Sequence, residues 1–415
     1  MKKNHLIAVA AAFFMSGCAV CRGQETPDAR IISGSFGMME VVKANNSFAL
    51  DIYKRYCPSD TNIFFSPYSI SSALAMTYEG ARGKTAEEMA KVFYFPRDEK
   101  SRREGYLFLY GEINRKDKKY KLSTANALWV QKDYHFLNEY IGVVKKYYGG
   151  SVKNMDFKTR AEESRKEINR WVEKETNDKI KDIIPSGAIN AITRLVLTNA
   201  VYFKGEWAKQ FDSKKTRDED FTVSAGKKVK VPMMERTGDE AVFPYAEDSA
   251  AQILEMPYSG DDLSMLVLLP KNGDMKKLEN FLSVKKLQEW KGSVKKQRVD
   301  VFFPKFKFET KYFMAKDLAE MGMAEAFSGS ADFSGMTGQK DLCISRVIHQ
   351  AFVEVNEEGT EAAAATAVIM KLTAMPSQQP PVPVFRADRP FIFIIQQKAT
   401  GNMLFMGRVS NPLAS

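Results

Sequence analysis

Between a strand-like run, Phe352-Val353-Glu354-Val355, and the step Arg389-Pro390-Phe391 lies a stretch that no single helix or strand can absorb: EEGTEAAAATAVIMKLTAMPSQQPPVPVFRADRP, from Glu357 to Pro390. Alanine propensity favours a short helix over Glu361–Thr366, yet the prolines further on cannot sit in a central strand. Loops this long inside compact domains are uncommon and usually functional. The fold must therefore hold this segment outside its core.

The rest of the chain alternates between two periodicities. Val41, Ala44, Phe48, Ile52 and Tyr56 form an apolar stripe at helical spacing. A second helix is expected after Gly83, with Thr85 and Glu88 at capping-box spacing and Met89, Val92 and Phe93 inward. A third is expected over Ala161–Lys181, with Ile168, Trp171 and Val172 inward. Strands are expected at Leu195–Phe203, at Ile253–Tyr258 and Leu263–Leu269 around a Ser259–Asp262 turn, through Val299, Val301 and Phe303, and at Phe391–Ile395 and Met403–Val409. Helices early and antiparallel strands late make an α+β pattern. The 415 residues are 44% hydrophobic and 27% charged, with no interior linker or repeat to divide them. One domain over 41–415 is the reading.

The N-terminus has the form of an export signal. Lys2 and Lys3 precede an apolar run from Leu6 to Met15, too short to span a bilayer. The ending Met15-Ser16-Gly17-Cys18 resembles the lipobox of bacterial lipoproteins, in which the cysteine carries lipid. This implies a signal peptide at 1–17, lipidation at Cys18, a tether over 18–40 and an exported, membrane-anchored protein at the cell surface or periplasmic face. The net charge of +10 is spread among acidic residues, as in Glu99–Lys119, which is the pattern of a solvated surface. No nucleic-acid motif accompanies it, so no nucleic-acid partner is expected. Cys21, Cys57 and Cys343 are too sparse for a disulfide scaffold, and whether any two of them pair stays open.

Catalytic signals are lacking. The histidines are His5, His135 and His349, with no Gly-x-Ser-x-Gly elbow and no zinc spacing. Cys18 and Cys21 have two residues between them, the spacing of a metal-ligand pair, but the lipobox claims Cys18. Gly80-Ala81-Arg82-Gly83-Lys84-Thr85 has its glycines too close together for a phosphate loop. No enzyme, metal or cofactor is expected.

The motif that decides the assignment is Glu357-Glu358-Gly359-Thr360-Glu361-Ala362-Ala363-Ala364-Ala365-Thr366, which resembles the hinge of an inhibitory serpin's reactive-centre loop. In sequence order, Asn62–Ile70, Thr198–Trp207, Asp332–Met336, Arg389-Pro390-Phe391 and Phe405–Pro412 also resemble motifs of that family, so the likeness runs from Val41 to Pro412. It implies three mostly antiparallel sheets, a helical N-terminal half and an exposed loop at about 357–388. It also implies a monomer that a target endopeptidase cuts once, after which the freed loop inserts into the central sheet and traps the enzyme. Small side chains at Ala362–Ala365 suit rapid insertion, Gly359 gives the pivot backbone freedom, and Thr360 enters first. By the same resemblance, Ser66, Ser69, Asn199 and His349 form a shutter beneath the opening strands. Trp207 lies where insertion starts, and Lys305 pairs with Glu357.

In the family the cut lies about 16 residues beyond the position of Glu357, and an inserted strand rises ~3.3 Å per residue. The count lands on Thr373-Ala374, with Pro376 shortly after it. Leu372-Thr373 suits elastase-like or subtilisin-like proteases. Lys371 offers a trypsin-like alternative, and Leu372 or Met370 serves chymotrypsin-like or cysteine proteases.

Overall fold

A computed structural model describes residues 27–115, 117–360 and 381–414. Six helices lead the chain: α1 (Pro27–Tyr56), α2 (Pro67–Gly80), α3 (Gly83–Phe93), α4 (Glu99–Ile113), α5 (Asn138–Val143) and α6 (Ala161–Glu175). The apolar stripe of α1 packs as its spacing predicts, with Val41, Ala44, Phe48 and Ile52 buried. The helix itself starts at Pro27, well before that stripe, so Pro27–Glu40, within the stretch expected as a tether, is helical. Its early turns are carried by a crossing with α4, where a Cβ on Gly37 would meet the Ser101 carbonyl oxygen at 2.3 Å and one on Gly105 would meet that of Gly37 at 2.4 Å. A hydrophobic period does not report contacts made through backbone.

Two other local expectations change. The Thr85/Glu88 capping box does not form: the N-cap of α3 is Arg82, without a side-chain cap. Thr85 Oγ1 instead accepts from the Asp332 N–H (2.9 Å) and Glu88 from that of Glu325 (2.9 Å). Both side chains are spent on tying α3 to a distant loop. The third helix ends at Glu175, short of Lys181, where Asn177 and Asp178 take positive φ and turn the chain.

Three sheets form the body. The seven-stranded sheet runs Ile63–Phe65, Met403–Val409, Phe391–Gln397, Leu263–Pro270, Ala251–Pro257, Val242–Glu247, Lys295–Arg298. A four-stranded sheet joins Val384–Arg386, Asp300–Pro304, Lys227–Arg236 and Arg217–Ser224. The central six-stranded sheet runs Phe306–Phe313, Ile344–Val355, Gly359–Thr360, Leu195–Glu206, Tyr120–Gln131, Ser151–Met155. Its middle strand Leu195–Glu206 is buried from Leu195 to Phe203, as expected of a strand covered on both faces. One face meets the main core. The other meets α6 through Ile168 and Val172, over Ala125, Trp129, Val196, Ala200 and Ile348.

The middle of this sheet positions the site. Ile344–Val355 and Leu195–Glu206 lie parallel and pair directly from Ile344↔Leu195 to Phe352↔Tyr202. Beyond that point the two-residue strand Gly359–Thr360 sits between them, antiparallel to both, with Thr360 opposite Val355 and Gly205.

Candidate functional site

The chain reverses after Val355 through an Asn356 turn. Asn356 Oδ1 accepts from the N–H groups of Glu358 (3.0 Å) and Gly359 (3.2 Å), and the Asn356 N–H donates to the Gly359 carbonyl (2.9 Å). This turn drops Gly359 and Thr360 back into the gap between the two parallel strands. Trp207 clasps it from the side: its indole N–H donates to the Asn356 carbonyl (3.0 Å) and its backbone N–H to that of Glu358 (2.8 Å). The Phe211 N–H donates to the Glu357 carbonyl (2.8 Å).

Thr360 is 1% exposed, and its hydroxyl lies 2.8 Å from that of Tyr258. The Tyr258 ring stacks on Trp207, centroids 4.6 Å apart. Gly359 takes no positive φ, so backbone freedom is not what requires glycine in this state. Space is the reason, since a Cβ there would stand 2.1 Å from the Gly205 carbonyl oxygen.

Lys305 Nζ lies 2.8 Å from Glu357 Oε2, and the Thr216 hydroxyl donates to Oε1 at 2.7 Å. Burial pushes the Glu357 carboxyl up, but these two donors outweigh it and hold the group below its ordinary value. Lys305 is 37% exposed, so the ion pair contributes below ~1 kcal/mol. Lys305→Met is accordingly expected to move the thermal midpoint by less than about 3 °C. A larger shift in a melting experiment would mean that the pair holds the turn and does not merely orient it.

A polar cluster lies lower, where the parallel strands still touch. The Ser66 N–H donates to His349 Nε2 (3.1 Å), so His349 carries its proton on Nδ1 and donates it to Asn199 Oδ1. Asn199 Nδ2 donates to Ser69 Oγ (2.6 Å) and to Asn126 Oδ1, and Ser69 Oγ donates to Asn126 Oδ1 (3.1 Å). Ser66 Oγ accepts from the Ser69 N–H (3.2 Å) and donates to the Leu404 carbonyl (2.7 Å). His349 is fully buried, and desolvation depresses its pKa to about 3 against a small upward push from Asn199. The imidazole is neutral at physiological pH and is sealed from any substrate.

The structure thus brings Glu357, Gly359, Thr360, Trp207 and Lys305 together at the head of the sheet, and Ser66, Ser69, Asn199 and His349 below them. Glu361, Ala362–Ala365, Thr366, Met370, Lys371, Leu372, Thr373, Ala374 and Cys18, the residue expected to carry lipid, lie outside the described residues. Sequence reading missed Asn126, Thr216, Tyr258 and Asn356. Asn126 had a visible signal, a polar residue between Ala125 and Ala127 in a run that otherwise turns apolar. Tyr258 had none, because a tyrosine ending a strand is ordinary.

Residues 43–412 match the family described as Serpin (serine protease inhibitor). A serpin-like protein of Thermococcus kodakarensis is 45% identical over 373 residues, covering 90% of this chain and 86% of that protein. The leukocyte elastase inhibitor of Xenopus laevis is 41% identical over 384 residues, covering 90% of this chain and 100% of that protein. The crystal structure of human thyroxine-binding globulin with thyroxine has a TM-score of 0.82 at 32% identity, covering 91% of this chain and 100% of that one.

Proposed function

The chain belongs to the serpin family, and from that premise we propose that it is a suicide-substrate inhibitor of serine endopeptidases that traps the acyl-enzyme by loop insertion. The protease serine attacks the Thr373 carbonyl, an ester to Thr373 forms, the Thr373-Ala374 peptide bond breaks and the Ala374 amine leaves. Insertion then competes with hydrolysis of that ester. Cysteine proteases reading Met370 or Leu372 would be held as thioesters in the same way.

One observation carries this reading: Thr360 already occupies the first rung between strands that pair directly below it. Extended from Thr360, each further loop residue falls opposite one residue earlier on both flanking strands. Ala362, Ala364 and Thr366 then share the inward face of Thr360. Thr366 arrives between Asn199 and His349, which pair with each other in the present state. Thr373 arrives just beyond the far ends of both strands, past Leu195 on one side and Ile344 on the other. Travel from Thr360 to Thr373 amounts to ~43 Å at 3.3 Å per residue, a whole-sheet displacement of any enzyme esterified there. The register serves Met370, Lys371 and Leu372 nearly as well, so the bond itself is read from fragment mass.

The test is intact mass spectrometry after incubating the chain from residue 19 with an elastase, a subtilisin and a trypsin. A covalent adduct plus a fragment starting at Ala374 is expected. A fragment starting at Leu372 would move the bond to Lys371 and the target to trypsin-like enzymes. Clean cleavage without adduct by all three would favour a non-inhibitory carrier or chaperone, a reading to which the structural similarity to a thyroxine-binding globulin lends some weight. Export, with lipid on Cys18 holding the protein to the bacterial envelope, completes the proposal.

A further inference from the structure

Three buried tyrosines pack on α2 and each spends its hydroxyl there: Tyr106 meets Ser71 (2.7 Å), Tyr140 donates to the Met76 carbonyl (3.0 Å) and Tyr148 to Glu79 (2.6 Å). Tyr68, on α2 itself, is 5% exposed, yet its hydroxyl has no hydrogen-bond partner among the described residues. Ser72, one turn further along and also 5% exposed, is in the same position. Buried hydroxyls without partners are costly and call for a physical reason. Neither oxygen is sealed in the core. Both residues line a cavity of about 220 Å³.

Periodicity builds this cavity. Tyr68 and Ser72 stand four apart on one face of α2, and Thr124 and Asn126 alternate on one face of the strand Tyr120–Gln131. Trp171 and Glu175, again four apart, bring the last turn of α6 to its mouth. The strand Ser151–Met155 pairs with Tyr120–Gln131 only from Ala127 onward, so the sheet edge beside Thr124 is open and gives a way in.

We propose that this cavity binds a small neutral polyol, up to the size of a single hexose. Its volume exceeds the ~30 Å³ share of one water and falls below the roughly 300 Å³ at which drug-sized sites begin. Among the described residues Glu175 is the one charged residue in the lining, and it is exposed. An anion would therefore meet no counter-charge, and a cation would find its carboxylate only at the solvated mouth. An apolar ligand would expel water and leave Tyr68 and Ser72 still unpartnered. A polyol carries donors and acceptors on each hydroxyl, which suits Tyr68, Ser72, Thr124 and Asn126 together, while the Glu175 carboxylate accepts from hydroxyls at the rim. Asn126 Oδ1 also accepts from Asn199 and Ser69. A ligand held between α2 and this strand thus braces the polar cluster below the hinge.

Saturation-transfer NMR on the protein, with glucose as the probe, provides the test. Saturable transfer of about millimolar affinity is expected. Tyr68→Phe keeps the ring and removes only the unpartnered hydroxyl. It should leave the thermal midpoint without glucose unchanged and weaken glucose binding about fivefold. Ser72→Leu puts bulk into the cavity and should abolish binding. No saturable transfer to the parent protein would mean that the cavity holds water alone, and would overturn the proposal. Transfer that neither variant weakens would place glucose elsewhere on the surface, with the same consequence. Binding of tetramethylammonium in place of glucose would assign the site to a cation and overturn the polyol. A lower midpoint for Tyr68→Phe without glucose would show that the hydroxyl already has a partner in the protein, which removes the ground of the proposal.

Discussion

Thr360→Arg is expected to turn the proposed inhibitor into a substrate, cleaved at the same bond and released without a covalent complex. Thr360 sits between Val355 and Gly205 at 1% exposure, its hydroxyl on Tyr258 and its neighbour Gly359 pressed against the Gly205 backbone. The side chain at this position meets the Tyr258 hydroxyl, and the desolvation cost of an unpaired buried ion is several kcal/mol. The arginine would leave the slot, taking the first rung of the insertion with it. Because trapping is a race between insertion and hydrolysis of the ester, the rate is what matters. An insertion barrier higher by ~3 kcal/mol slows that step by more than a hundredfold. The readout is the covalent band on a denaturing gel, expected to vanish while the cleaved form accumulates. Thr360→Ser keeps the hydroxyl and the volume class, and should trap as the parent does. A Thr360→Arg protein that still forms complex at the parent's stoichiometry would sink the insertion account.

Much of this site was legible because its residues are unusual for where they stand. An alanine run after a strand and before prolines is conspicuous, whereas the Lys305 and Glu357 pairing came from the family resemblance and not from local pattern. What was not legible has a common physical cause. Thr216 and Tyr258 act through single hydrogen bonds to a segment distant in sequence, Asn356 closes a local turn, and nothing in their local pattern distinguishes them from turn, loop and core residues. The role of Gly359 was read as conformational freedom, whereas its geometry shows a close approach of backbones. Sequence reveals that a side chain is absent, not which neighbour needs the room. The fold divides the same way: the α6 face and the paired strands at Ala251–Pro257 and Leu263–Pro270 follow from periodicity. By contrast, the early turns of α1 and the tertiary use of Thr85 and Glu88 depend on partners elsewhere.

Acid should loosen the central sheet through His349, and His349→Gln should remove that component. In the folded protein the ring is buried and neutral, accepting from the Ser66 N–H and donating to Asn199, with burial depressing its pKa to about 3. In the unfolded chain it titrates at its ordinary value near 6.5. The unfolded state therefore binds the proton first, so the stabilisation from keeping the ring neutral is fully present above about pH 6.5 and is lost progressively as pH falls towards 3. Between pH 7 and pH 5 the loss amounts to about 2 kcal/mol. A protonated ring has no lone pair for Ser66, so the contact that breaks first is the one tying α2 to the Ile344–Val355 strand. In the proposed insertion the same ring would part from Asn199 as Thr366 arrives between them, which would link acid sensitivity to the cost of insertion. Urea midpoints at pH 7 and pH 5 for the parent and for His349→Gln provide the check. Depressed carboxylates such as Asp248 and Asp332 titrate in both proteins, so the difference between the two slopes isolates the histidine. Equal slopes would mean that His349 keeps its partners when protonated, and that the polar cluster is packing and not a shutter.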